Sequence, residues 1–131
     1  MKNVLVVAFL ALLFACGGKK ETVNTEEYAS PDNKPAASSS DQIAEGEKLV
    51  AGSDCKTCHH PTNKIIGPAH ADVAKKYEFT EANVKMLANK IIQGGQGVWG
   101  QIPMTAHVDI TVVDAEKMAR YVLSLDGETE H

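Results

Sequence analysis

Cys55-Lys56-Thr57-Cys58-His59 sets two thiols three positions apart, with an imidazole directly behind the second. At this spacing both sulfurs can add to the two vinyl groups on one edge of a porphyrin. His59 then falls beneath the iron, where a ring nitrogen can ligate it. The expectation is a covalently held haem, and with it redox or gas chemistry. Two other readings need more than the chain supplies. A dithiol redox motif expects a βαβ pattern nearby, and none is visible. A zinc site could recruit His59, His60, His70 or His107, but no second C-x-x-C or closely paired His motif completes one.

These residues must be positioned by a small framework. From Asp41 to about Gly127 there are fewer than ninety residues, a size at which a core often needs a staple. A haem with two thioether bonds would be one. The pattern is helical throughout, strand signals are sparse, and there is no internal repeat. A first helix is expected from about Gln42 to Ala51, capped by Ser40 or Asp41 and ended by Gly52. Ile43, Ala44 and Val50 supply its apolar positions. Gly46 inside it costs about 1 kcal/mol against Ala and makes sense where another helix crosses closely. A second helix is expected over Ala69 to Tyr77. A third follows Thr80 and reaches about Ile92, with Val84, Leu87, Ala88 and Ile91 at i, i+3, i+4 and i+7. The last begins at Thr111, where Thr111-Val112-Val113-Asp114 resembles a capping box with Asp in place of Glu. Ala115, Met118, Ala119, Val122 and Leu123 form its apolar face.

Between the third and last helices, Gly94, Gly95, Gly97 and Gly100 exclude a regular helix and suggest backbone packed closely on a flat object. Met104 ends this loop, placed to bring a thioether to the haem face opposite His59. The plainer reading of Met104 is core filler. His70 and His107 are rival ligands in principle and are expected to be surface histidines. His60 is expected to be solvated.

The chain's beginning reads as targeting rather than fold. Lys2 precedes a short apolar run from Val4 to Phe14, which ends Leu13-Phe14-Ala15-Cys16-Gly17. That run resembles a bacterial lipoprotein signal, which implies cleavage of residues 1–15 and acylation of Cys16. The alternative is an ordinary secretory signal with Cys16 a free thiol. Three cysteines, two for haem and one for lipid, leave no call for a disulfide. Both processing steps occur outside the cytoplasm, so the expected location is the periplasmic side of a Gram-negative membrane, inner or outer. Several acyl chains would anchor stably, where one alone is marginal. Residues 16–40 are expected to form a lipid-anchored flexible tether, too poor in apolar residues to offset ordering entropy, with a reach of roughly 27 Å. Residues 41–131 are the expected haem domain.

Thirteen Lys and Arg stand against 17 Asp and Glu, a formal net charge of −4. Nothing in that balance suggests nucleic-acid binding. Lys56, Lys64, Lys75, Lys76, Lys85 and Lys90 concentrate in the middle of the domain, where a local positive rim could steer docking. The plainer reading is a solvated surface.

From Asp41 to Gly127 the chain resembles the small class I c-type cytochromes, in particular the short bacterial group that donates electrons to nitrite reductase and terminal oxidases. The resemblance rests on Cys55-x-x-Cys58-His59, Gly67-Pro68-Ala69, Asp72 to Tyr77, and Gly97-Val98-Trp99-Gly100-Gln101-Ile102-Pro103-Met104. It implies an all-α fold of about four helices around one haem c, with Cys55 and Cys58 as thioether links and His59 and Met104 as axial ligands. It further implies that the Pro68 carbonyl orients His59. The Trp99 indole N–H would reach a haem propionate, and Lys90 would face one. Gly46 and Tyr121 would mark the crossing of first and last helices, Tyr121 replacing the group's usual tryptophan. The implied function is a monomeric respiratory electron carrier, not an enzyme, exchanging electrons with oxidoreductase donors and terminal oxidase or reductase acceptors. The alternatives are a haem-based sensor with a labile sixth ligand and a dedicated subunit of a respiratory complex.

Overall fold

The computed structural model describes residues 37–131. The expected signal segment, Cys16 and the tether as far as residue 36 lie outside the described residues. Four α-helices make up the domain: α1 (Ser39–Gly52), α2 (His70–Lys76), α3 (Glu81–Gln93) and α4 (Val112–Leu123). Short 3₁₀ turns occupy Asp54–Thr57 and Ser124–Asp126. Among the described residues the strand-like pairing is a single antiparallel bridge, Gly95 with Met104. The fold is all-α, as the periodicity indicated.

Helix starts follow their caps. The Thr80 hydroxyl accepts from the Asn83 amide at 3.3 Å, and the Thr111 hydroxyl accepts from the Asp114 amide at 3.1 Å. Each cap satisfies an amide that the helix itself leaves unpaired. At Thr111 the expected box is only half made, because the Asp114 carboxylate takes the Thr111 hydroxyl proton at 2.9 Å. The first helix departs from expectation. Ser38, not Ser40 or Asp41, is its cap, accepting from the Asp41 amide at 3.2 Å. Three consecutive serines each suit an N-cap, and the helix takes the one that makes it longest.

α4 is the central element, packed against α1, α2 and α3. Its expected face, Ala115, Met118, Ala119, Val122 and Leu123, is buried throughout. Phe79, Val84, Ala119 and Leu123 form the inner cluster, with Ile43, Tyr77 and Leu87 against it. Of the apolar positions expected in α1, Val50 is buried and Ala44 is exposed. Gly46 lies hard against α4, where a methyl group would overlap the Lys117 carbonyl. The ammonium of Lys117 reaches back across this crossing to Glu45 at 2.7 Å. Tyr121 is half-buried on the same side, and burial followed by the charge of Glu47 on α1 raises its phenol pKa.

The chain after α4 folds back along the domain. The Glu128 carboxylate accepts from the Phe79 amide at 3.2 Å, and the His131 amide donates to the Phe79 carbonyl at 3.1 Å. Glu130 takes Arg120 Nε at 3.1 Å and the Ser39 hydroxyl at 3.2 Å. The C-terminal residues are thus tied to the start of α1.

Candidate functional site

The 3₁₀ turn at Asp54–Thr57 shapes the two-cysteine segment. The Cys55 carbonyl accepts both the Cys58 amide at 3.1 Å and the His59 amide at 2.8 Å, which curls the chain so that both sulfur-bearing residues line one cavity. The Gly67 amide donates to the Cys58 carbonyl at 2.8 Å and closes the loop below. Burial, and then the negative charge of Asp54, push the pKa of the free Cys55 thiol up.

His59 is held on several sides. Its Nδ1 lies 2.8 Å from the carbonyl of buried Pro68, which fixes the proton on Nδ1 and leaves the Nε2 lone pair uncommitted. Gly67 packs so closely that a Cβ there would come within 2.5 Å of the imidazole Cε1. The ring of His70 stacks on that of His59, centroids 5.2 Å apart and planes 19° from parallel.

Two histidines therefore correct the reading from sequence. His70, expected at the surface, is 8% exposed, because α2 begins at the loop that wraps His59. Burial, and then the neighbouring His59, lower its pKa to about 4, so the ring is neutral at physiological pH. His107, also expected at the surface, is largely covered. Its Nδ1 contacts the Ile91 carbonyl at 3.2 Å and its Nε2 contacts Asp54 Oδ1 at 3.1 Å. His60 is exposed as expected, but its Nδ1 accepts the amides of Thr62 and Asn63, each at 3.1 Å, and shapes the turn after the cysteine segment.

The glycine loop reaches the same cavity. Gly94 ends α3 at φ +71°, and a side chain there would collide with the Met104 carbonyl. Gly95 and Met104 then exchange both backbone hydrogen bonds, Met104 amide to Gly95 carbonyl at 2.8 Å and the reverse at 3.2 Å. This bridge sets Met104 on the wall of the cavity that His59 also lines. Lys90 and Trp99 line it as well, and Lys76 Nζ lies 5.5 Å from the Trp99 ring centroid on α2's side.

The cavity encloses about 620 Å³, within the range of cofactor sites. Leu87, Ile91, Val73, Met118 and Val122 make its apolar walls. Ile65, Ile66, Val98 and Ile102, all about half or more exposed, lie along it too. That much uncovered apolar surface is what a flat, apolar group would cover. Two thiols, an imidazole with a free Nε2, a thioether, an ammonium and an indole N–H complete a donor set that fits haem. Haem iron seated there supplies a one-electron couple.

Three helices packed about α4, with a C-x-x-C-H turn and a glycine loop facing one apolar cavity, define the small class I monohaem c-type cytochromes. The chain belongs to the cytochrome c family, whose model matches residues 43–126. It is 43% identical over 79 residues to cytochrome c-552 of Hydrogenobacter thermophilus, covering 60% of this chain and 80% of that protein. Cytochrome c2 of Rhodocyclus tenuis is 38% identical over 87 residues, 63% of this chain and 94% of that one. Among solved structures, wild-type Nitrosomonas europaea cytochrome c552 superposes with a TM-score of 0.57 at 39% identity, over 60% of this chain and 98% of that chain. The chain thus carries one covalently attached haem c and is an electron carrier that works with redox partners.

The sequence singled out Cys55, Cys58, His59, Pro68, Trp99, Lys90 and Met104, and all of these line the same cavity, while Cys16 lies outside the described residues. It missed the stacked His70 and the Asp54–His107 contact. The signal for the latter was faint: a histidine three residues beyond Met104, whose acidic partner is 53 residues away.

Proposed function

We propose that this chain is a membrane-tethered respiratory electron carrier whose haem iron is held between His59 and Met104. The observation that carries this reading is the pairing of an uncommitted His59 Nε2, oriented through Pro68, with a Met104 pinned by the Gly95 bridge, both on one apolar cavity. Cys55 and Cys58 form the thioether links. Pro68 holds the imidazole plane and raises the basicity of Nε2. The apolar walls keep water from the iron, which favours the less charged reduced state. Trp99 and Lys90 hold the propionates. With His59 and Met104 both holding the iron, small oxygen-derived molecules would find no open site. Lipid on Cys16 anchors the protein at the periplasmic side of a Gram-negative membrane, and the carrier works as a monomer.

The test is an absorption spectrum of the haem-loaded chain, oxidised and reduced, with and without carbon monoxide. A low-spin spectrum with a far-red Met–Fe(III) band, insensitive to carbon monoxide and lost in Met104→Ala, is expected. Ready carbon monoxide binding would instead select the sensor reading. Metabolic labelling with a fatty acid, lost in Cys16→Ser, tests the anchor. Co-purification with a single enzyme from solubilised membranes would replace the roaming carrier with a dedicated subunit.

A further inference from the structure

The loop from Gly94 to His107 has little to hold it. Gly94, Gly95, Gly97 and Gly100 all have positive φ, and residues 95–103 are exposed. Inside the loop the backbone bonds are the Gly95–Met104 pair and one from the Gly97 amide to the Gly100 carbonyl. The Gly95–Met104 bridge orients Met104 relative to the end of α3. It does not tie Met104 to the opposite wall, where the cysteines and His59 sit.

His107 makes that connection. Its amide donates to the carbonyls of Ile91 at 3.2 Å and Ile92 at 3.1 Å, satisfying the last turn of α3. Its Nδ1 turns to the same Ile91 carbonyl, and its Nε2 reaches Asp54 Oδ1, one residue before Cys55. Among the described residues, no other recorded hydrogen bond or ion pair joins residues 94–110 to residues 53–67. Both ring nitrogens face acceptors, and with its proton on Nε2 the ring donates to the Asp54 carboxylate. The histidine side chain is 18% exposed and Asp54 75%, so the bond is partly sheltered at one end only.

We propose that His107 is a positioning residue for the sixth ligand, clamping the Met104 loop to the cysteine turn through Asp54 so that the thioether stays on the iron. The proposal rests on His59/Met104 ligation. Without the clamp, the glycine loop regains freedom at its C-terminal side and the methionine leaves the iron more often. An external ligand can then take its place.

The experiment is imidazole titration of the oxidised, haem-loaded protein, followed by loss of the far-red Met–Fe(III) band. Asp54→Ala, His107→Ala and the double variant are compared with the wild type. The exposed Asp54 can be replaced without loss of packing, so that variant keeps the test alive if His107→Ala folds poorly. Losing one charge-assisted hydrogen bond should raise imidazole affinity about tenfold in each single variant. The double variant should match the singles, because the two residues act as one clamp. A general effect of the Asp54 charge would instead persist in the His107→Ala background and overturn the proposal. Unchanged imidazole affinity in Asp54→Ala would overturn it too. A wild type without the Met band would be a different failure, that of the ligation itself.

Discussion

The imidazole of His70 stacks on that of His59 at a centroid separation of 5.2 Å, two histidines packed plane to plane with the outer one almost wholly buried. Pro68 fixes one edge of the inner ring, Gly67 admits its Cε1 corner, and His70 covers a face. The His59 ring is thus confined by three residues of one short segment, Gly67, Pro68 and His70.

Burial of a neutral histidine has a cost in acid. His70 sits at about 4 in the folded protein against 6.5 unfolded, so between these values the unfolded chain binds more protons. Its contribution is fully present above pH 6.5 and is lost as pH falls toward 4, amounting to roughly 3 kcal/mol. His70→Phe keeps a stacked ring without the titration. Denaturant unfolding at pH 7, 5 and 4 should therefore show the wild type losing more stability than the variant over that window. Parallel losses would contradict it.

Gly46→Ala sets helix propensity against packing. Alanine gains about 1 kcal/mol in a helix interior, yet its methyl would occupy the place of the Lys117 carbonyl. Backbone cannot give way as a side chain can, so α1 and α4 must separate, and a net loss of about 2 kcal/mol is expected. Gly52→Ala, where nothing lies within 4 Å of the added carbon, is the control and should be neutral or slightly stabilising. Guanidinium unfolding of both variants reads the difference.

Gly67→Ala should act on the site more than on the fold. The new methyl would press on the His59 ring, which the Pro68 bond holds in place. The ring must tilt or that hydrogen bond must lengthen. The expected outcome is a partly high-spin spectrum with haem still attached, measured by absorption and by haem staining after denaturing electrophoresis. A spectrum identical to wild type would mean the ring has room that the geometry does not show.

The folded-back C-terminal residues carry a sheltered ion pair. Arg120 and Glu130 side chains are only 11% and 19% exposed. Glu130→Ala removes both that bond and the Ser39 contact, leaving Arg120 with Glu116 at 3.6 Å. A loss of about 1–2 kcal/mol is expected by denaturant unfolding. Faster amide exchange at the first turn of α1 should accompany it.

Much of this arrangement was legible before any coordinates. The stripes on α3 and α4, the threonine caps and the C-x-x-C-H turn are local patterns, and local patterns carry their own structural instruction. The glycine loop was legible as irregular, because four glycines so close together leave no other reading. The two misplaced histidines show where such reading stops. Nothing within a few residues of His70 says that α2 will start against the His59 ring. Nothing near His107 points to Asp54, since the contact exists only after three segments have been brought together. Serine caps failed by degeneracy instead: Ser38, Ser39 and Ser40 are chemically equivalent, and local sequence does not say which of them the helix will use.

The tie between Ser39 and Glu130 places both ends of the described domain at one pole. The cavity lies at the other end of α1, where Val50 lines it, about 16 Å along the helix axis from Ser39. An affinity tag, a second redox module or a surface linker for an electrode joined after His131 would therefore leave the domain beside the first turn of α1, about three helical turns from Val50.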